Sequence, residues 1–446
     1  MHDTDFETQS VIARICNSDS PEEAFILFSH FEPLLNGWKF VLGSEIGSRP
    51  GFAINRTFAS GSVVVRSLFR TSKIFVLDQR TVRDMANGRA TFGIDYSISL
   101  ETQALSYLAP YLDGRTSLPA GVAEMFSFIA RDDVYVDPLP YQYENIERLS
   151  SPYDAEKIFE KLKAYEVLRT LDVDRLRRRG EIRSTLSDME LVKATQENIG
   201  RLLNGNDSFV RALKLRHSFF YALLLKMADI QITNARRTVN DKLFDFLYFC
   251  DTELAAMCAR ESVIARRYFE QGQKLSFFGK IQKGRSGLFE QLKNMAWDLM
   301  HVRHLEHALT ISTTPEARYF IPALLTFDRG LIEIMDLYPL KACAFLAGGP
   351  PIPFYDGDPL AALFDDPMHQ DQLKSQFYSR AAISSRSSNL SNARARMAAT
   401  VAALEDRLAN SAAIATPGQS VTLQRAWPSG TIDFAGGTEP PIQDEG

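Results

Sequence analysis

The sequence predicts an α/β domain interrupted by a large all-helical insertion. Three observations carry that prediction. Strand–turn–helix units occur at 92–112 and 317–337, and nearly everything from about 119 to 310 has helical periodicity. Strand character returns only beyond that block, so the α/β units lie on either side of it. The 446 residues are 45% hydrophobic and 24% charged, an ordinary globular composition long enough for one large or two medium domains.

Residues 1–70 read as a mixed α/β lead-in, with an amphipathic start (AFILFSHFEPLL) and a Gly-rich middle. SKIFVLDQR (72–80) reads as a short strand through Ile74, Phe75, Val76 and Leu77. In FGIDYSISLETQALSYLAPYL (92–112), alternation at Ile94, Tyr96, Ile98 and Leu100 gives way to helical spacing at Leu105, Leu108 and Leu112. Glu101 sits at that changeover. Helices are then expected at 119–130, 152–170, 186–204, 207–228, 240–272 and 286–310. A polar break at 204–207 and a basic loop, KLSFFGKIQKGR (274–285), separate some of them. No repeat period supports a solenoid. A strand at 317–326, a helix near 329–337 and a short strand at 340–346 follow, before the turn-rich GGPPIPFYDGDP (348–359). Residues 388–410 suggest a last polar helix. The Pro-, Gly-, Ser- and Thr-rich tail from about 411 is expected to be disordered.

Composition narrows the function classes. No run approaches the ~18 apolar residues of a membrane helix, and MHDTDFETQS lacks a signal pattern. Cys16, Cys250, Cys258 and Cys343 match neither a disulfide framework nor a zinc knuckle, which suits a reducing cytoplasm. A net charge of −5 argues against a generally cationic nucleic-acid coat while leaving room for a local basic groove.

The residues that carry chemistry are acids. Functional side chains of open α/β sheets gather where strands end and helices begin, and two such junctions here bear Glu101 and Asp328. Asp298 lies between them in sequence, on NMAWDLMHVRHLEHAL (294–309), beside a stripe of Met295, Leu299, Val302, Leu305 and Leu309. Carboxylates converging from separate elements suit hard divalent cations, and paired metals of that kind promote phosphodiester hydrolysis. The plainer readings are that Asp328 is an N-cap and Asp298 a solvated helix residue.

At these residues the sequence resembles the PIN-domain nuclease superfamily. AWDLMHVRHLEHAL…RYFIPALLTFDRGL looks like the family's C-terminal half, a helix bearing an aspartate followed by a strand ending in Thr-x-Asp, here Asp298, Thr326 and Asp328. SISLETQALSYL (97–108) is similar to the family's opening strand, with Glu101 where Asp is usual and Thr102 in place. The remaining family acid is best matched by Glu144, with Glu147, Glu160 and Glu166 competing.

The resemblance covers about 92–150 and 286–346. It implies a PIN-like parallel sheet flanked by helices, divided as a lead-in (1–90), a first half (91–150), a helical insertion (151–285), a second half (286–383) and a helix with its tail (384–446). It further implies a metal-dependent endoribonuclease in which Glu101, Glu144, Asp298 and Asp328 are catalytic. Of these, Glu101, Asp298 and Asp328 would hold Mg²⁺ or Mn²⁺ to activate water, and Thr326 would meet that water or the phosphate. Glutamate at 101 is one methylene longer than aspartate; it could still ligate a metal but would shift the ion, so a degenerate module that binds RNA or protein without turnover is the alternative. RNA, single-stranded or tRNA, is the expected partner, with a homo-oligomer or a regulatory protein left open. RNA processing or a toxic role in antiviral defence is the expected setting.

His301, His304 and His307 recur every third residue. His301 falls one turn from Asp298, where it would orient that acid or touch substrate, whereas His304 and His307 read as a solvated face. The basic runs at 174–183 and 274–285 are candidate phosphate contacts. The second offers Lys280, Lys283 and Arg285, with Phe277 and Phe278 interleaved for base stacking.

Overall fold

A computed structural model describes residues 3–48, 55–58, 61–88, 93–115, 117–204, 207–282, 284, 286–311 and 317–412. The expected disorder beyond 412 therefore lies outside the described residues. The architecture is mixed α/β, with sixteen α-helices and two sheets among those residues, and most of the chain is helical.

The strands are β1 (Trp38–Ser44), β2 (Asn55–Thr57), β3 (Val64–Ser67), β4 (Lys73–Leu77), β5 (Gly93–Leu100), β6 (Val136–Asp137), β7 (Ala317–Thr326), β8 (Leu340–Leu346) and β9 (Ile352–Tyr355). One sheet runs β4-β1-β8-β9 and is antiparallel throughout. The other runs β2-β3-β7-β5-β6; only β7-β5-β6 is parallel, and β2 and β3 join antiparallel. The parallel sheet expected from the sequence is thus limited to three strands. The lead-in does not stand apart either, since β1 pairs with β8 and β3 with β7. Alternation specifies a strand and its buried face but not its partner or direction.

Near-continuous apolar runs make β7 and β8 two-faced. On β7, Tyr319, Ile321 and Leu324 enter a core built with the long helices. Ala323 and Leu325 enter a second core beneath the helices that follow β5. Strands buried on both faces read as such runs rather than as alternation.

Helices Val122–Ile129, Pro152–Arg169, Asp188–Leu203, Asp207–Thr233 and Leu288–Ala308 fall within a few residues of expectation. The stretch expected as one helix over 240–272 is two, Val239–Thr252 and Ala259–Gln271. Ala255 between them takes a left-handed φ of 48° with no Gly or Pro to announce it. Past the break, Arg260 and Glu261 turn inward. Arg260 pairs with Glu306 at 3.1 Å, and Arg303 reaches Glu261 and Glu306 at 2.5 Å each, with the Tyr355 hydroxyl donating to Glu306. Buried charges persist only when matched in this way. The expected last helix is longer, Arg380–Ala412, and is preceded by Pro367–Phe377. All four cysteines are free and buried. No helix of the described residues is long and apolar enough to cross a membrane.

Candidate active site

Parallel pairing of β5 with β7 brings two strand ends to one edge. Leu100 stands opposite Leu325, and the Glu101 amide donates to the Leu325 carbonyl at 3.1 Å. A helix starts directly after Glu101 (Thr102–Leu112) and another after Asp328 (Arg329–Leu337). Glu101 occupies the N-cap position of its helix without capping it. Its carboxylate turns instead to the neighbouring strand end, where Oε2 accepts from the Thr326 hydroxyl and from the Phe327 amide at 3.3 Å. Thr326 Oγ1 accepts in turn from the Asp328 amide at 2.9 Å. Asp328 caps its own helix through Oδ1, which accepts from Gly330 and Leu331 at 2.7 and 3.0 Å. The capping reading of Asp328 therefore holds, and it leaves the charge beside Glu101.

Glu144 arrives on the short helix Leu139–Asn145. The Thr102 hydroxyl donates to its Oε2 at 2.6 Å, and His301 Nε2 lies 2.7 Å from its Oε1. With the carboxylate as acceptor, the proton of that bond is assigned to Nε2. The His301 ring stacks near Trp297, and its buried Nδ1 has no partner among the described residues. Two of the competing glutamates are committed elsewhere, Glu147 to Lys214 and Glu166 to Arg169 and Asn198, and Glu160 is exposed.

Asp298 completes the cluster from the helix Leu288–Ala308. Burial pushes its carboxyl well above the usual carboxylate range, and Glu101, Asp328 and Glu144 raise it further, while Lys280 opposes the rise. Burial likewise pushes Glu101 up to about 7; its bond from Thr326 opposes this, and Asp328 and Glu144 add to it. Four carboxylates from four elements thus share one field, in which the charges of the others oppose ionisation of Glu101 and Asp298. Such a group fits a divalent cation in its chemistry, being all oxygen and short of positive charge. It is not assembled as a ligand cage: among the described residues no three His, Cys, Asp or Glu side chains are grouped so as to hold an ion.

Several expected roles change. Thr326 is fully buried and anchors Glu101 rather than meeting a phosphate. His301 is 2% exposed, and its ring nitrogen bonds Glu144 rather than Asp298. His304 packs edge-on against Tyr143 instead of facing solvent, and burial lowers its imidazole to about 4; His307 is exposed, as expected. Phe277 and Phe278 are buried, the latter stacked on Tyr268, so the loop is docked and offers no base-stacking surface. Lys280 is exposed within electrostatic reach of Asp298. Lys283 and Arg285 lie outside the described residues. In the 174–183 run, Arg175 pairs with Glu181 and Arg177 with Asp132.

Sequence reasoning missed Lys161, on the helix Pro152–Arg169. Its ammonium donates to the Ser106 hydroxyl at 2.9 Å, and its charge acts on Glu144. The only sequence signal for it is helical spacing, four residues after Lys157 and eight after Tyr153. No protein-family model, curated protein or solved structure matches the chain.

Proposed function

We propose that the chain is a metal-dependent endoribonuclease, its acidic cluster set in a PIN-like α/β domain. The observation that carries this reading is the pairing of parallel strands β5 and β7, which sets Glu101 against Thr326 and Asp328 at their carboxyl edge, with Glu144 and Asp298 near enough to share their field. Open α/β sheets bind their ligands at that edge. In this reading Glu101, Asp298 and Asp328 hold Mg²⁺ or Mn²⁺, and Glu144 completes the negative lining. The chemistry supplied by the bound cation is acidification of water and neutralisation of charge on the scissile phosphate. Thr326 holds the Glu101 carboxylate in place, while Thr102 and His301 hold that of Glu144, so two of the four acids are immobilised before any substrate arrives.

The test is cleavage of single-stranded RNA, tRNA and duplex RNA with Mg²⁺, Mn²⁺ or a chelator present. Wild type is compared with Asp298→Asn and Asp328→Asn. Asparagine caps helices as well as aspartate does, so Asp328→Asn removes charge while keeping the helix start. Metal-dependent cleavage that both variants abolish, with folding unchanged, is the expected result; cleavage indifferent to both sinks the proposal. A binding module without turnover is the second reading, favoured by the lack of a closely set ligand trio among the described residues. It predicts RNA binding that survives both substitutions and no cleavage by wild type.

A further inference from the structure

The helix Pro152–Arg169 carries Tyr153, Lys157 and Lys161 on one stripe, at i, i+4 and i+8. Tyr153 is 67% exposed, a large aromatic ring in water. The Lys157 ammonium lies 3.8 Å from that ring's centroid and donates to its hydroxyl at 2.5 Å. One turn further on, Lys161 is half-buried. Its ammonium sits 5.3 Å from the Tyr141 ring centroid and bonds the Ser106 hydroxyl, which itself donates to the Thr102 carbonyl at 2.6 Å. Thr102 is the residue that bonds Glu144, so the stripe ends against the acidic cluster.

Among the described residues neither Lys157 nor Lys161 makes an ion pair; each has a hydroxyl partner. Burial lowers the Lys161 ammonium's affinity for its proton, and the nearby cations Arg148 and Lys157 lower it further, while Glu144 opposes. Three cations therefore share one field beside the acids. Arg148 is partly satisfied by Asp154 at 2.7 Å. A half-buried ammonium held by a neutral hydroxyl gains charge compensation from any anion brought to it. Cations that follow a backbone, interleaved with an exposed aromatic, make up the recognition surface for single strands.

We infer that Tyr153, Lys157 and Lys161, with Arg148 alongside, form the track by which single-stranded RNA reaches the acidic cluster. A base stacks on Tyr153, and Lys157 and Lys161 take the phosphates that follow. The inference rests on the RNA-cleaving reading of the cluster. It places the expected nucleic-acid contact on the helix before the 174–183 run, in which Arg175 and Arg177 are paired.

The experiment measures anisotropy of a labelled single-stranded RNA oligonucleotide in chelator, at about 50 and about 200 mM salt. Each single-strand phosphate contact contributes ~0.7 to the logarithmic salt slope. The double variant Lys157→Gln/Lys161→Gln is expected to lose about 1.4 of slope, so a fourfold salt rise weakens wild type by roughly 7-fold more than the variant. Tyr153→Ala is expected to weaken binding by at least roughly 5-fold, the effect of losing one stacked base, and Tyr153→Phe to restore it. Arg177→Gln, whose arginine pairs with Asp132, is the control and is expected to bind as wild type. A double variant with the wild-type slope, or Tyr153→Ala with wild-type affinity, overturns the track. Binding that depends on the stripe without cleavage in Mg²⁺ or Mn²⁺ overturns the nuclease reading and leaves the track standing. Cleavage that needs Asp298 and Asp328 but is indifferent to the stripe does the reverse.

Discussion

Glu101→Gln is expected to make the protein more stable at alkaline pH while removing the proposed RNA cleavage. Wild-type Glu101 is 5% exposed, and burial, with Asp328 and Glu144 nearby, raises its carboxyl in the folded protein to about 7 against an ordinary 4.5. Between those values the folded state binds more protons than the unfolded one, and stability falls as pH rises. The loss begins near the ordinary value and is complete above the folded one. At roughly 1.4 kcal/mol per pH unit of difference, the ionised carboxylate costs about 3 kcal/mol by pH 8. Glutamine keeps an oxygen for the Thr326 hydroxyl and carries no charge. Urea denaturation of both proteins at pH 5 and pH 8, in chelator, measures the effect. The two should differ little at pH 5, and the variant should lead by up to about 3 kcal/mol at pH 8. Parallel stability curves across that range would refute the reasoning. Mg²⁺ or Mn²⁺ should recover part of the gap for wild type alone, because a ligand that binds only the folded state stabilises it.

Other outcomes follow from the same packing. Thr326→Val removes the donor to Glu101 and strands the Asp328 amide; about 1–3 kcal/mol of stability should be lost, together with the proposed cleavage, by denaturation and cleavage assay. Asp328→Ala should cost about 1 kcal/mol more than Asp328→Asn, because alanine cannot cap Gly330 and Leu331. Gly330→Ala would place a Cβ 2.9 Å from the Phe277 Cα, so the loop carrying Lys280 must shift. About 1–3 kcal/mol should be lost in denaturation, with faster proteolysis of that loop. Glu306→Ala leaves Arg260 buried without its partner and should cost about 3–5 kcal/mol, measured by denaturant midpoint.

The sequence by itself determined the local events. Alternation and then helical spacing placed β5 before the helix Thr102–Leu112, and an apolar run closed by Thr-x-Asp placed β7 before Arg329–Leu337. A residue's demand for one face or one cap is met by its own neighbours, so the chain displays it in order. Asp328 could be read as cap and as acid from that stretch alone. Tertiary structure decided everything that depends on distant surfaces. Thr326 meets Glu101 across 225 residues, and His301 meets Glu144 across 157. No periodicity records which surface will cover a polar side chain, so Thr326 and His301 passed for substrate contacts until the fold buried them. The antiparallel partners of β7 and β8 were hidden for the same reason, since an apolar strand accepts a neighbour in either direction. The break at Ala255 has no local marker, and inward-turned Arg260 and Glu261 find their ion-pair partners on the distant helix Leu288–Ala308. Lys161 is the clearest case: a lysine on an amphipathic helix reads as a solvated charge until the fold sets Ser106 and Glu144 beside it.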